Sequence, residues 1–215
     1  MLMLAGGQPA TLDDLGAVPL PIATATHQPV AHDLFVKLCV EAIKTHGLTI
    51  QTARYLLNKS GHQMVGMIQC DEALHGTSIG FVLRSSHDKS MTKGLAGGRF
   101  VDCCSNGVFA GSDFVCLRKH TPNVWEDLVS LVTAAIANTG VVQDRLDRVI
   151  HAFKSTPVQT ERGFEILGRA YGEKRLTSVQ ATAAFREWRE PSHDVFLRRD
   201  YWSLYNAGTA ALKLG

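Results

Sequence analysis

The chain has 215 residues, 45% of them hydrophobic and 20% charged, which is ordinary globular usage with enough apolar surface for a buried core, and it excludes disordered and collagen-like classes. With 22 Lys and Arg against 20 Asp and Glu the formal charge is +2, too small for a whole-chain polyanion binder and too positive for an acidic DNA mimic, so nucleic-acid contact has to come from a local patch. No apolar run reaches the roughly 18 to 20 residues of a membrane span. The first thirty residues lack Lys and Arg, and Gln8, Pro9, Asp13, Asp14 and Pro19 break their apolar stretches, so no signal peptide is expected and a cytoplasmic location is. Five cysteines (Cys39, Cys70, Cys103, Cys104, Cys116) have no scaffold spacing and are expected to be reduced.

Residues 1–32 are rich in Gly, Pro, Ala and Thr without periodicity, and Pro19, Pro21 and Pro29 predict an extended segment along the core surface. Residues 33–155 then read as an α+β core. Leu34, Phe35, Leu38, Ala42 and Ile43 recur at helical spacing between Asp33 and His46, with Gly47 as terminator. After Gly47 the period shortens. Strands are predicted over Leu48–Leu57, Met64–Ile68, Ile79–Leu83, Arg99–Cys104 and Phe114–Leu117, with Asn58-Lys59-Ser60-Gly61 and Asn106-Gly107 as turns. Five short runs without intervening helices imply an antiparallel meander and exclude a doubly wound parallel sheet.

Helical spacing returns at Thr121-Pro122, where Asn123 and Glu126 fit a capping box, and Leu128, Leu131, Val132, Ala135 and Ile136 form a stripe. Gly140 leaves open one kinked helix or two successive ones before Val142, Leu146, Val149, Ile150 and Phe153. Residues 156–215 read as a helical region packed on the core, with Thr177 and Gln180 as a second capping box and Tyr201–Leu212 as the last helix. Its Trp188, Tyr201, Trp202 and Tyr205 suit core or interface anchors more than base-stacking platforms, and a homo-oligomer through these aromatic helices is one expectation.

The densest polar segment is Arg84-Ser85-Ser86-His87-Asp88-Lys89-Ser90, placed as a loop directly after a predicted strand. Arg84 and Lys89 suit phosphate contacts, and His87 with Asp88 suits a base with its orienting carboxylate. The plain alternative is a turn whose Ser and Asp side chains bond nearby amides. Gly94-Leu95-Ala96-Gly97-Gly98 lacks every nucleotide-loop spacing and reads as a flexible loop flanked by Lys93 and Arg99. Cys104, His120 and His87 form a conceivable nucleophile–base set if the meander joins them, although a free Cys is ordinarily a small buried apolar residue. No C-x-x-C pair occurs, and adjacent strand cysteines face opposite ways, so neither a metal site nor a cofactor is expected.

Leu83–Ser90, Gly98-Arg99-Phe100-Val101, Cys104-Ser105-Asn106-Gly107, His120-Thr121 and Tyr205-Asn206-Ala207 together resemble the phage/plasmid-like domain of unknown function 932 family in order and spacing, from about His32 to Thr209. Ser85 stands where that family usually has Asn, Cys103 where it has Val, and Gly208 where Val is common. The resemblance implies a gene carried by a phage, prophage or plasmid, acting in the host cytoplasm, and implies kinship more than mechanism. The function expected is an accessory protein that binds nucleic acid, with single-stranded DNA as one candidate, through Arg84, Ser86, His87, Lys89, Lys93, Arg99, Lys119 and His120, with Asp88, Cys104, Asn106 and Gly107 as motif or structural residues. Two alternatives stand beside it: a host-interaction or counter-defence protein acting by protein binding, and a Cys/His-based or metal-dependent hydrolase.

Overall fold

A computed structural model describes residues 4, 6–74, 76–101, 107–108, 115–118 and 123–212. The fold is α+β, with an antiparallel sheet and helices filling the C-terminal region. Contacts divide the chain into two units, Leu2–Leu146 and Asp147–Gly215.

In the first unit the sheet is a meander, and its main strands are β2 (Ile50–Leu57), β3 (Gln63–Leu74), β4 (Thr77–Ser86), β5 (Lys93–Val101) and β7 (Val115–Arg118). The short β1 (Gln8–Ala10) extends one edge by pairing with β2, while β6 (Gly107–Val108) and β7 pair with different parts of β5. Pro9 lies in β1, an edge position where a missing amide costs no ladder bond.

The N-terminal segment, expected to be extended, also carries a helix, α1 (Leu12–Ala17). Thr11 and Asp14 form a capping box there, and Leu15 inserts into the core with no exposed surface. The Thr-Leu-Asp-Asp capping signal is short and sits among Gly and Pro residues that favour extended chain, so composition alone does not reveal this helix.

Helix α2 (His32–Thr45) forms as its spacing predicts, burying Phe35, Val36, Cys39 and Ile43. These pack with Met64 and Ile68 of β3, Phe81 and Leu83 of β4 and Leu95 of β5, and with Val124, Leu128, Val132 and Ile136 of α3 (Val124–Ala137). Asn123 makes no side-chain cap bond, so the capping box expected at that helix start does not form. Around Gly140 there are two helices, α3 and then α4 (Thr139–Ser155).

Two departures in the strands matter for the site. Strand β4 runs on through Ser86, because Val65, Met64 and Gln63 of β3 continue the ladder opposite Arg84, Ser85 and Ser86. The polar segment therefore starts inside a strand, not in a loop. Residues Gly94–Gly98 lie inside β5 instead of forming a flexible loop, with Gly98 opposite Gly80 and Gly97 opposite Phe81. Across the ladder, Gly80 of β4 makes room for a ring: a Cβ on it would lie 1.8 Å from the buried ring of Phe100.

The second unit contains the end of α4, then α5 (Thr160–Gly172), α6 (Ser178–Arg189), a 3-10 turn at Asp194–Phe196 and α7 (Tyr201–Ala211). The capping box of Thr177 with Gln180 forms as its spacing predicts. Asp200 caps α7 by accepting a bond from the Ser203 amide at 2.7 Å. Trp188 is fully buried among Val158, Leu167, Ala184 and Leu204, and Trp202 is 4% exposed and stacks on Tyr205. Both Trp side chains are therefore buried, in keeping with the core role that their type suggests.

Gly163 shows how tightly that interior is fitted. A Cβ there would sit 2.2 Å from the Trp188 indole, whose Nε1–H donates to the Thr160 carbonyl at 3.0 Å. Alanine gains about 1 kcal/mol of helix propensity but overpacks a filled core at about 1 to 3 kcal/mol, and the immobile indole puts the cost at the upper end. Gly163→Ala is therefore expected to destabilise the protein by about 1 to 2 kcal/mol net, measurable by denaturant titration; an unchanged midpoint would show that the indole yields.

Candidate functional site

Side chains alternate across a strand, so Ser85 shares the core face with Leu83 and Phe81, and Lys93 shares it with Leu95. An ammonium-bearing side chain is thereby aimed into the core. Lys93 is 0% exposed, lies with its Nζ 5.7 Å from the centre of the Phe35 ring, and donates a short hydrogen bond to Ser85 Oγ. Burial holds its amine down at about 7, far below a normal lysine.

Ser85 Oγ also meets His32 Nδ1 at 2.9 Å, and His32 Nε2 meets the Gly61 carbonyl at 3.1 Å. A carbonyl can only accept, so Nε2 carries the hydrogen and Nδ1 of the neutral ring accepts from the Ser85 hydroxyl. The ring is neutral because burial, with His87, Lys93 and His62 nearby, pushes His32 down to about 3. Its place as the first residue of α2, at the positive end of the helix dipole, acts in the same direction.

His87 stacks on His32 with ring centres 3.8 Å apart and planes 1° from parallel. Its Nε2 meets the Val30 carbonyl at 3.2 Å, so it too is a donor at Nε2, leaving Nδ1 buried with no hydrogen-bond partner among the described residues. Burial first, and Lys93 second, lower this imidazole to about 4, opposed by the bond to the Val30 carbonyl and more weakly by Asp88. His27 is lowered as well, by burial and by Lys89 and Lys93.

Over this cluster lie two turns at the same end of the sheet, between β2 and β3 and between β4 and β5. Gln63 Nε2 ties them by donating to Asp88 Oδ2 at 3.1 Å and to Ser90 Oγ at 2.8 Å. Ser86 Oγ donates to the Met91 carbonyl and accepts from the Met91 amide, closing the second turn. Burial would raise the Asp88 carboxyl, but bonds from Ser90 and Gln63 outweigh it and hold Asp88 below the usual range. Lys59, Arg84 and Lys89 are exposed, Lys89 with a left-handed φ of 64°, and Arg84 donates to Thr92 Oγ1.

The expected contact set is thus split by burial. Arg84 and Lys89 face solvent, whereas Ser86, His87, Lys93 and Arg99 are buried and are not surface contacts as the chain stands. Strand alternation in the extended β5 turns Lys93 and Arg99 inward, whereas Ser86 is buried by its bonds to Met91 and His87 by its stack on His32 and its contact with the Val30 carbonyl. Cys104, Asn106, Lys119 and His120 lie outside the described residues, and Gly107 lies in β6. His32, Ser85 and Lys59 were missed. His32 precedes Phe35 by three residues on the buried stripe, and Ser85 continues the period of Phe81 and Leu83, so both had a legible signal.

Among the described residues no cluster of His, Cys, Asp or Glu has the arrangement to hold a metal ion, and no helix is long and apolar enough to cross a membrane. No family model, curated protein or solved structure matches the chain.

Proposed function

We propose that the protein binds the phosphate backbone of nucleic acid through the paired turns at this end of the sheet, as an accessory protein of a phage or plasmid. The observation that carries the proposal is the pairing itself: Gln63 joins two turns that expose Lys59, Lys89 and the adjacent Arg84, and the one acid in them, Asp88, is already engaged by Ser90 and Gln63. Cations in such a setting are left to an external anion, and phosphate is the anion that repeats along a strand. The mobile-element origin rests on the motif resemblance, which runs through the same β4–β5 segment.

Fluorescence anisotropy with single- and double-stranded oligonucleotides over a salt series tests this. Two or three contacts predict that log K falls against log salt with a slope of about −1.5 to −3, and the Lys59→Ala and Lys89→Ala pair should flatten it by about 1.5 to 2. Absence of binding at low salt would overturn the proposal, as would binding with the same slope in parent and double variant.

A further inference from the structure

Beneath the turns lies an arrangement that phosphate binding does not use. Here the Ser85 hydroxyl hydrogen points to His32 Nδ1, the opposite ring nitrogen of His32 is fixed by the Gly61 carbonyl, and Lys93 directs an N–H at the same oxygen. Base, orienting group and oxygen-directed donor are the three parts that an activated nucleophile needs.

We infer that Ser85 is a nucleophile toward phosphorus, with His32 as its base and Lys93 as the donor that stabilises its developing charge. In the step, the Ser85 proton passes to His32 Nδ1 as Oγ forms a bond to phosphorus; the bond to the leaving group breaks, and the leaving group departs with the electron pair and then takes the proton from His32. The product is a serine phosphoester and a protonated leaving group, with no redox change. The choice of phosphorus rests on the polyanion reading above; the nucleophilicity of Ser85 does not.

Ser85 has no exposed surface, so the reaction requires the two turns to part. The bonds from Gln63 to Asp88 and Ser90 hold them together, which makes Gln63 a positioning residue that controls access.

The test uses the full chain and a small neutral alkyl fluorophosphonate, which forms the same Oγ–P bond with loss of fluoride and needs no surface cation. Intact mass and peptide mapping are expected to place one adduct on Ser85, absent in Ser85→Ala. Gln63→Ala should label about three- to tenfold faster, from the loss of two modest hydrogen bonds. With His32 neutral throughout and Lys93 charged only below about pH 7, the rate should fall between about pH 6 and pH 8 as the donor loses its charge, whereas a lysine base would gain rate across the same range. No adduct in parent and in Gln63→Ala, or an adduct on another residue only, would overturn the nucleophile. A rate rising from about pH 6 to pH 8 would overturn the roles given to His32 and Lys93. Because the probe is uncharged, labelling with no oligonucleotide binding would sink the phosphate reading and its substrate class while leaving the nucleophile standing.

Discussion

Acidification is expected to unfold the sheet unit well before its carboxylates are fully protonated. In the unfolded chain His32 and His87 take up protons near the usual 6.5, whereas in the fold burial holds them at about 3 and about 4. Between those limits the unfolded state binds more protons than the native one. Stability is therefore fully present above about pH 6.5 and is lost as the pH falls toward about 4, at up to about 1.4 kcal/mol per pH unit for each imidazole. The two together remove on the order of 4 kcal/mol by about pH 5, a large part of the total stability of an ordinary domain. His27, shifted in the same direction, adds to the loss.

Thermal melts from about pH 7 to about pH 5 should accordingly lose on the order of 10 °C. His87→Gln should roughly halve the pH slope, because one of the two imidazoles is gone and the amide does not titrate. A melting temperature flat across this range would show that the cluster is hydrated or rearranged in solution.

The second large effect concerns Lys93, where substitution is expected to stabilise. Its amine is buried against Phe35, with Ser85 as its hydrogen-bond acceptor. Its value of about 7 against the usual 10.5 means that below pH 7 the native state carries a desolvated cation, a penalty of up to about 5 kcal/mol relative to a hydrated lysine. As the pH rises from 7 toward 10.5 the unfolded state holds the proton that the native state has released, so stability rises across that window and the excess penalty fades.

Lys93→Met keeps the straight side chain and removes both the charge and one hydrogen bond worth about 1 kcal/mol. At about pH 6 the gain should be about 2 to 4 kcal/mol, shrinking toward pH 10. Guanidinium titrations at both pH values decide the matter, and a destabilised variant would sink the argument. The same substitution removes the donor to Ser85 Oγ, so labelling by the fluorophosphonate should slow while stability rises. That opposition is what a functional amine held in a hostile site predicts.

Much of the fold was legible because it rests on short-range periodicity. The α2 stripe, the meander, the exclusion of a parallel sheet and the Thr177 capping box all follow from residues close together in sequence. Strand ends were less legible. Whether Arg84-Ser85-Ser86 continues a strand depends on Gln63–Val65 across the ladder, and polar residues carry no local signal for that. The glycines of β5 suggest flexibility by their type, yet they lie in the ladder opposite β4, which only the pairing reveals.

The site shows the same division. Sequence alone identified the Arg84–Ser90 segment as the place to look, since its residue types are suited to turns and to anions, and composition alone restricted polyanion binding to a local patch. It could not sort the cations into exposed and buried, because that depends on which face of a strand each one takes once register is set. Register turned Lys93 inward and left Arg84 outside, and the packing of α2 on the sheet brought His32, more than fifty residues away, to the Ser85 hydroxyl. Short-range patterning determined the elements; long-range pairing decided which polar groups lost their water, and that loss gives the cluster its chemistry.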